Sequence, residues 1–569
     1  MRAARPNLWL VACLVAMGLG LVWRLGGYPL FEPDEGRNAE VAREMAARHA
    51  WILPTLDGLP YVDKPVLYFA TDAVAQRVFG SNETAARLPS LLFTLATAVL
   101  VAWFARRRLS RRAAWTATIA YLATPFTLAY ARTVIFDSAL SLFVVAALIA
   151  FYLAIEAPPT DDAGARRETW PTTAVAWIAI ALGILTKGPV ALALPLLVAV
   201  PYAIWRRRAR RLFEPVAVLA GVAALLPWLF SIARRVPGFF HYALVVETAE
   251  RLTTNTMHRS GPWWYFVPIL VGAALPWSVI AVAGIRRRVF RRDGAWNPFA
   301  VYLALWILVP LIFFSLSQSK RPQYILPLMP AFALLVALFW ERDERLPGVR
   351  WGGALLIVLG LGLIAFHGVF LRFATKYPTI GPAIPPTALA LGAVAVAAGV
   401  GVLFFAWLGQ REPVLLMLTL PVAVIPIIGL PLLQAIGHER SARALAGEIA
   451  PVLSAQTQVI AVETFPLSLP FYLKRTVLLA TADGRELTSN YVPRHLGRLR
   501  ALPDSPLRPA EWWREAARTC TVPRVFVVAR TDVAAREFLA ERLPLLAAAA
   551  KWAAYGPCQR GPAVARGIP

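Results

Sequence analysis

Apolar segments long enough to cross a lipid bilayer recur along this chain, and loops crowded with arginine lie against several of them. A helix needs about 20 mainly apolar residues to cross the hydrocarbon core. The first candidate runs from Asn7 to roughly Trp23, behind the basic stretch MRAAR. Others centre near residues 97, 122, 147, 178, 197, 223, 275, 306, 331, 361, 398 and 424, making thirteen spans. Hydrophobic residues make up 58% of the chain and charged residues 16%, against about 25% charged in soluble proteins. A soluble globule could not hide that surface. A soluble enzyme, a disordered protein and a disulfide scaffold are therefore excluded.

The charge balance is +25, from 58 Lys+Arg against 33 Asp+Glu. Its placement decides what it means. RRRLSRR (Arg106 to Arg112), RRRARR (Arg206 to Arg211) and RRRVFRR (Arg286 to Arg292) carry five Arg each and abut apolar segments. A Lys/Arg excess there marks cytoplasmic loops, whereas a nucleic-acid surface would need a polar domain to hold it. With the N-terminus inside, the same side receives Glu156 to Trp170, Glu341 to Arg350 and Gln410 to Glu412. The outer side receives Phe31 to Arg87, Arg132 to Asp137, Arg234 to Trp264, Ser315 to Gln323 and Arg372 to Pro386. An odd span count leaves Ile436 to Pro569 outside as well.

That last segment has ordinary polar content and short β-branched runs, QVIAVET (Gln458 to Thr464) and RVFVVAR (Arg524 to Arg530). These read as strands, and EWWREAAR as a helix. The expected fold class is mainly α: a polytopic membrane domain over 1–435, with amphipathic helices at about 31–87, and a small outer α/β domain over 436–569. Cys520 and Cys558 share the outer domain, where an oxidising compartment permits a bridge. The sequence leaves that pairing open.

Charged groups at a membrane are costly and default to function. In FEPDEGRNAEVAREMAARHAW (Phe31 to Trp51), Glu40, Arg43, Glu44 and Arg48 read as the solvated face of an interfacial helix. Asp34, Glu35 and Arg37 sit directly after the first span, at the rim of any central cavity. In LPYVDKPVLYF (Leu59 to Phe69), Lys64 could snorkel to the interface or hold a phosphate. In YARTVIFDSAL (Tyr130 to Leu140), Arg132 and Asp137 bracket an outer turn, and Asp137 could cap the next span. Lys187 in LTKGPV, and Ser317, Ser319, Lys320, Arg321 and Tyr324 in SLSQSKRPQYILP, add cations and phenols on the same face. Such a gathering suits a phosphorylated amphiphile: cations hold the phosphate and carboxylates act on the other group. His258 could ligate a metal with Asp63 or Glu247, though one His without a partner at ligand spacing is a weak signal. A cofactor is not required, and a divalent metal is left open.

PDEGR (Pro33 to Arg37), VDKP (Val62 to Pro65), LTKG (Leu185 to Gly188), WWYFVP (Trp263 to Pro268) and SKRPQYILPLMP (Ser319 to Pro330) resemble, in order, the ArnT family of lipid A aminoarabinose transferases. Those are relatives of the protein O-mannosyltransferases, within the GT-C superfamily. The resemblance covers about the first 435 residues, and the outer domain fits by position. Asp63 departs from it, standing where Glu is expected.

The resemblance implies a bacterial inner-membrane enzyme of GT-C fold with its active site facing the periplasm. It implies an undecaprenyl phosphate donor carrying 4-amino-4-deoxy-L-arabinose and a phosphate of lipid A as acceptor, hence a part in polymyxin resistance. A monomer is expected. By carry-over, Asp34 and Asp137 are the paired carboxylates, Lys64 and Arg37 hold the donor phosphate, and Tyr61 and Tyr324 line the cavity. Asp63, Glu35, Arg132, Lys187 and Lys320 complete the expected substrate-binding set.

The chemistry is a single displacement with inversion. Asp34 is expected to engage the aminosugar and Asp137 to organise the cations. A competing enzyme would move mannose or another hexose from a polyprenyl phosphate to a protein or glycan. A lipid-linked-sugar transporter would carry polar groups near the bilayer midplane on broken helices, whereas here they lie at span ends on one face.

Overall fold

The computed structural model describes residues 7–158, 162–250, 261–284, 290–292, 295–342 and 347–558. The chain forms two compact units. One comprises residues 1–25, 87–377 and 381–431; the other comprises 26–86, 378–380 and 432–569.

The first unit is helical. It contains α1 (Leu8–Val22), α5 (Arg111–Leu122), α6 (Pro125–Ala131), α7 (Asp137–Glu156), α8 (Asp162–Lys187), α9 (Val190–Trp205) and α10 (Pro215–Arg235), with most of α4 (Glu83–Arg108). Each expected apolar segment coincides with a helix or a helix pair. Among the described residues, nine helices are long and apolar enough to cross a membrane; a further pair bent by 105° (Phe266–Ala273 with Trp277–Ala283) is a broken span or a re-entrant loop. The remaining expected spans are the shorter helices α1, α9 and α5, of 15, 16 and 12 residues. At 1.5 Å per residue the longest reaches about 24 Å, short of the roughly 30 Å hydrocarbon core. Where Thr124 meets Pro125, the missing N–H ends α5 and starts α6.

Apolar burial alone cannot bind helices together inside lipid, so close packing of small residues does. Helices Pro347–Ala365 and Ile384–Trp407 show this. A Cβ on Gly360 would lie 2.6 Å from the Gly392 carbonyl oxygen, and one on Gly399 2.6 Å from that of Gly353. The two backbones approach as closely as glycine alone permits.

The second unit holds α2 (Asp34–Arg48), α3 (Leu67–Phe79) and a hairpin of β1 (Thr55–Leu56) with β2 (Leu59–Pro60). Its turn is Asp57–Gly58, both at positive φ (53° and 81°), the two-residue Asp-Gly turn that matches strand twist. Another short hairpin, β3 (Arg291–Arg292) with β4 (Ala295–Trp296), belongs to the first unit.

The late chain builds a six-stranded sheet from β5 (Gln458–Val462), β6 (Leu478–Thr481), β7 (Leu507–Pro509), β8 (Arg524–Ala529), β9 (Leu545–Ala549) and β10 (Trp552–Cys558). The order is β7-β6-β5-β8-β10-β9. The first four strands are parallel, and β10 runs antiparallel to both β8 and β9. The strands expected in QVIAVET and RVFVVAR are β5 and β8, joined in register from Gln458↔Arg524 to Val462↔Val528. EWWREAAR supplies the helix Trp512–Thr519, which places Trp513 in one buried cluster with Phe526 and Val528. Cys520 and Cys558 are bridged, with Cα atoms 5.7 Å apart.

Candidate active site

In the second unit, the turn into α2 is fixed before any functional group is placed. The Glu32 carboxylate accepts from Ser468 N at 2.9 Å and Ser468 Oγ at 2.5 Å. Glu35 reaches back to the Phe31 N–H at 2.9 Å. Gly36 packs so closely on Ser468 that a Cβ would fall 2.7–2.9 Å from it. This accounts for the glycine in PDEGR, and it gives Glu35 a structural task.

α2 then presents Asp34 and Arg37 on one face. Arg37 Nη2 donates to Asp34 Oδ1 at 2.6 Å, and Nη1 donates to Thr488 Oγ1 at 2.8 Å. The guanidinium lies 5.8 Å from the Tyr61 ring centroid. Its Nε is buried and has no acceptor among the described residues. Burial pulls the Arg37 pKa down, but Tyr61, Asp34 and Asp63 outweigh it and the net shift is upward. Asp63 accepts from Ser489 Oγ at 3.2 Å and from Asn490 N at 2.9 Å. Lys64 Nζ donates to the Asp63 carbonyl at 2.5 Å.

One expectation is corrected here. Glu40 and Glu44 are buried rather than solvated. Glu40 is bidentate to Arg43, both contacts at 2.6 Å. Glu44 accepts from Thr55 Oγ1 at 2.5 Å and from Gly58 N at 3.1 Å, clamping the hairpin. Burial pushes the Glu40 carboxyl up to about 8.

In the first unit, Asp137 opens α7 and Lys187 closes α8, and the two form an ion pair. Asp137 is 1% exposed. Lys187 Nζ sits 4.9 Å from the centroid of the Tyr324 ring. That ring packs on Phe314 and Phe266, with centroids 5.3 and 6.5 Å away, so SKRPQY and WWYF meet at one place. Lys320 Nζ donates to the Ser317 carbonyl at 2.5 Å, and burial lowers its pKa.

Arg132 has a different task. Its guanidinium donates to the carbonyls of Gly20, Leu21 and Trp23 at 2.7–3.0 Å. A cation there satisfies the unpaired carbonyls at the end of α1.

The structure thus gathers Asp34, Arg37 and Tyr61 with Asp63 and Lys64 in one unit, and Asp137, Lys187 and Tyr324 in the other. Thr488, Ser489 and Asn490 were not anticipated. The only signal was LTSNY (Leu487 to Tyr491), three consecutive hydrogen-bonding side chains in a turn. His258 lies outside the described residues. Among the described residues no three His, Cys, Asp or Glu side chains are grouped to hold a metal ion, and Asp63 is engaged by Ser489 and Asn490.

Comparisons with known proteins give three results. The family model described as dolichyl-phosphate-mannose-protein mannosyltransferase matches residues 35–243. The undecaprenyl phosphate-alpha-4-amino-4-deoxy-L-arabinose arabinosyl transferase of Serratia proteamaculans is 34% identical over 58% of this chain, and that of Yersinia enterocolitica 34% over 61%. The chain spans 59% and 63% of the length of those two relatives. The crystal structure of ArnT from Cupriavidus metallidurans bound to undecaprenyl phosphate superimposes with a TM-score of 0.79 at 26% identity, covering 98% of both chains.

Proposed function

This chain belongs to the ArnT family of lipid-linked-sugar glycosyltransferases, and from that premise we propose that it moves 4-amino-4-deoxy-L-arabinose from undecaprenyl phosphate to a phosphate of lipid A. The observation that carries the proposal is the likeness, over nearly the whole chain, to an ArnT that holds undecaprenyl phosphate. The protein is a multi-pass membrane protein. We assign it to the bacterial inner membrane as a monomer acting at the periplasmic face.

In a single inverting displacement, an acceptor phosphate oxygen forms a bond to the sugar's anomeric carbon as the bond to the undecaprenyl phosphate oxygen breaks. The electron pair of that bond leaves with the phosphate, which gains charge. Cations already in place stabilise such a transition state more than the ground state. Arg37 is suited to this: Asp34 and Thr488 fix its two Nη atoms and so hold the guanidinium in place. Lys64 supplies a second cation. Within the membrane unit, the Asp137–Lys187 pair holds a further ammonium beside the Tyr324 ring. An acceptor phosphate is already anionic and hardly needs a base, so Asp34 is assigned to the sugar's ammonium and Asp137 to holding Lys187.

The mannosyltransferase family match favours a second reading, in which a hexose passes to a hydroxyl. A carboxylate would then act as general base, worth about 100- to 10000-fold. Mass spectrometry of lipid A separates the two readings. The host makes the aminoarabinose donor, lacks its own transferase, and expresses this protein or Asp34→Asn. An adduct with the wild type that disappears in the variant is expected. No adduct, with both proteins in the membrane, would sink the proposal in favour of the second.

A further inference from the structure

A groove of about 820 Å³ opens on the membrane unit, far along the helices from the Asp137 end of α7. It is lined by Val99, Leu100 and Trp103 of α4, by Ala146, Ala150 and Ala154 of α7, and by the start of α8 around Pro171. Its origin is legible in the side chains. Two ring pairs join α4 to α7, Phe93–Phe143 at 6.1 Å and Phe104–Tyr152 at 5.5 Å between centroids. Between and just beyond them α7 offers Ala146, Ala150 and Ala154, four residues apart, which lie on one helix face and leave the space open.

The chemistry of the groove changes along its length. The body is aliphatic. The mouth carries Arg107, exposed and 5.7 Å over the Trp103 ring, and Arg108, which donates to the Tyr152 hydroxyl at 3.1 Å. Glu156, the one acid among the described lining residues, is already neutralised by Arg206 at 2.7 Å and accepts from Tyr202 at 2.8 Å. An apolar slot ending at two arginines, with its single acid paired off, is complementary to an acyl chain under a phosphate.

We propose that this groove is a binding site for a glycerophospholipid with a net negative head group, its acyl chain along Ala146–Ala154 and its phosphate at Arg107 and Arg108. The charge at the mouth selects anionic over zwitterionic lipid, since basic pockets between spans on the Arg-rich side recognise anionic head groups. The site is remote from the proposed transfer chemistry and independent of which sugar moves.

Native mass spectrometry of the full-length protein in detergent, with added phosphatidylglycerol or phosphatidylethanolamine, tests the site. The wild type is expected to retain one phosphatidylglycerol in preference to phosphatidylethanolamine. Arg107→Gln is expected to weaken that retention about fivefold, the equivalent of roughly 1 kcal/mol per basic residue at an anionic surface. Ala150→Phe, which fills the slot, is expected to abolish it. Arg111→Gln removes an exposed arginine of the same run outside the groove and is expected to change nothing. Equal weakening by Arg107→Gln and Arg111→Gln would overturn the proposal in favour of diffuse surface charge. Undiminished retention by Ala150→Phe would overturn it as well.

Discussion

The two units hold the charges proposed for function by opposite means. In the membrane unit, Asp137 and Lys187 stand at the ends of two packed helices, 50 residues apart, and satisfy each other in an apolar setting. In the second unit, Arg37 and Asp63 are held by Thr488, Ser489 and Asn490, more than 420 residues further along the chain. The difference follows from burial. A charge buried where two apolar helices end has little water to fall back on, so a self-contained pair is the stable unit. In the second unit, backbone and hydroxyl donors from a distant loop do the positioning.

The comparison is broken most severely by removing half of the self-contained pair. Lys187→Met leaves Asp137 as an uncompensated buried charge, which costs about 3–5 kcal/mol. Transfer should fall by about 100- to 1000-fold if the lysine also steadies developing charge. The double variant Asp137→Asn/Lys187→Met should recover most of the melting temperature and none of the activity. A double variant as unstable as the single one would show that the pair is not what the helix ends depend on.

This contrast also explains how much the sequence revealed. The helices could be read because each apolar run must satisfy its own backbone. That Asp137 and Lys187 stand at helix ends could be read, because each marks a polar break between apolar runs. Helix length was less legible than apolarity: Pro125 divides one apolar run into α5 and α6. The burial of Glu40 and Glu44 was hidden, since their spacing on α2 is also that of a solvated face. What buries Glu44 is the Asp57–Gly58 hairpin, and no periodicity in α2 reports a hairpin. Arg132 shows a related ambiguity: an arginine at an outer turn looks the same in sequence whether it meets a substrate or, as here, the carbonyls at the end of α1.

The second unit's dependence on distant partners can be tested through Glu32 and Ser468. Burial raises the Glu32 carboxyl from 4.5 to about 7, despite the two hydrogen bonds from Ser468. Between those values the folded protein holds a proton that the unfolded chain releases. Stability from this group is therefore full below about pH 4.5 and is lost as the pH rises to about 7, a change of about 3 kcal/mol. Glu40, raised to about 8, extends the decline in the same direction. Glu32→Gln mimics the protonated form, so the two proteins should melt alike near pH 4.5 and the variant should lead at pH 8. A gap between them that does not change with pH would remove Glu32 from the account.

The smallest expected effect is the most specific. Thr488→Val keeps the shape of the side chain and deletes the hydroxyl that accepts from Arg37 Nη1. A hydrogen bond to a charged group contributes about 1.5–3 kcal/mol. Arg37 keeps its ion pair with Asp34, so the loss should sit at the low end, about tenfold in kcat/KM. Because the arginine is held rather than created by Thr488, the melting temperature should barely move, and Thr488→Ser should restore activity. If Thr488→Val lowers stability and leaves transfer intact, the late loop serves the fold alone, and Arg37 is as self-sufficient within its unit as Lys187 is in the other.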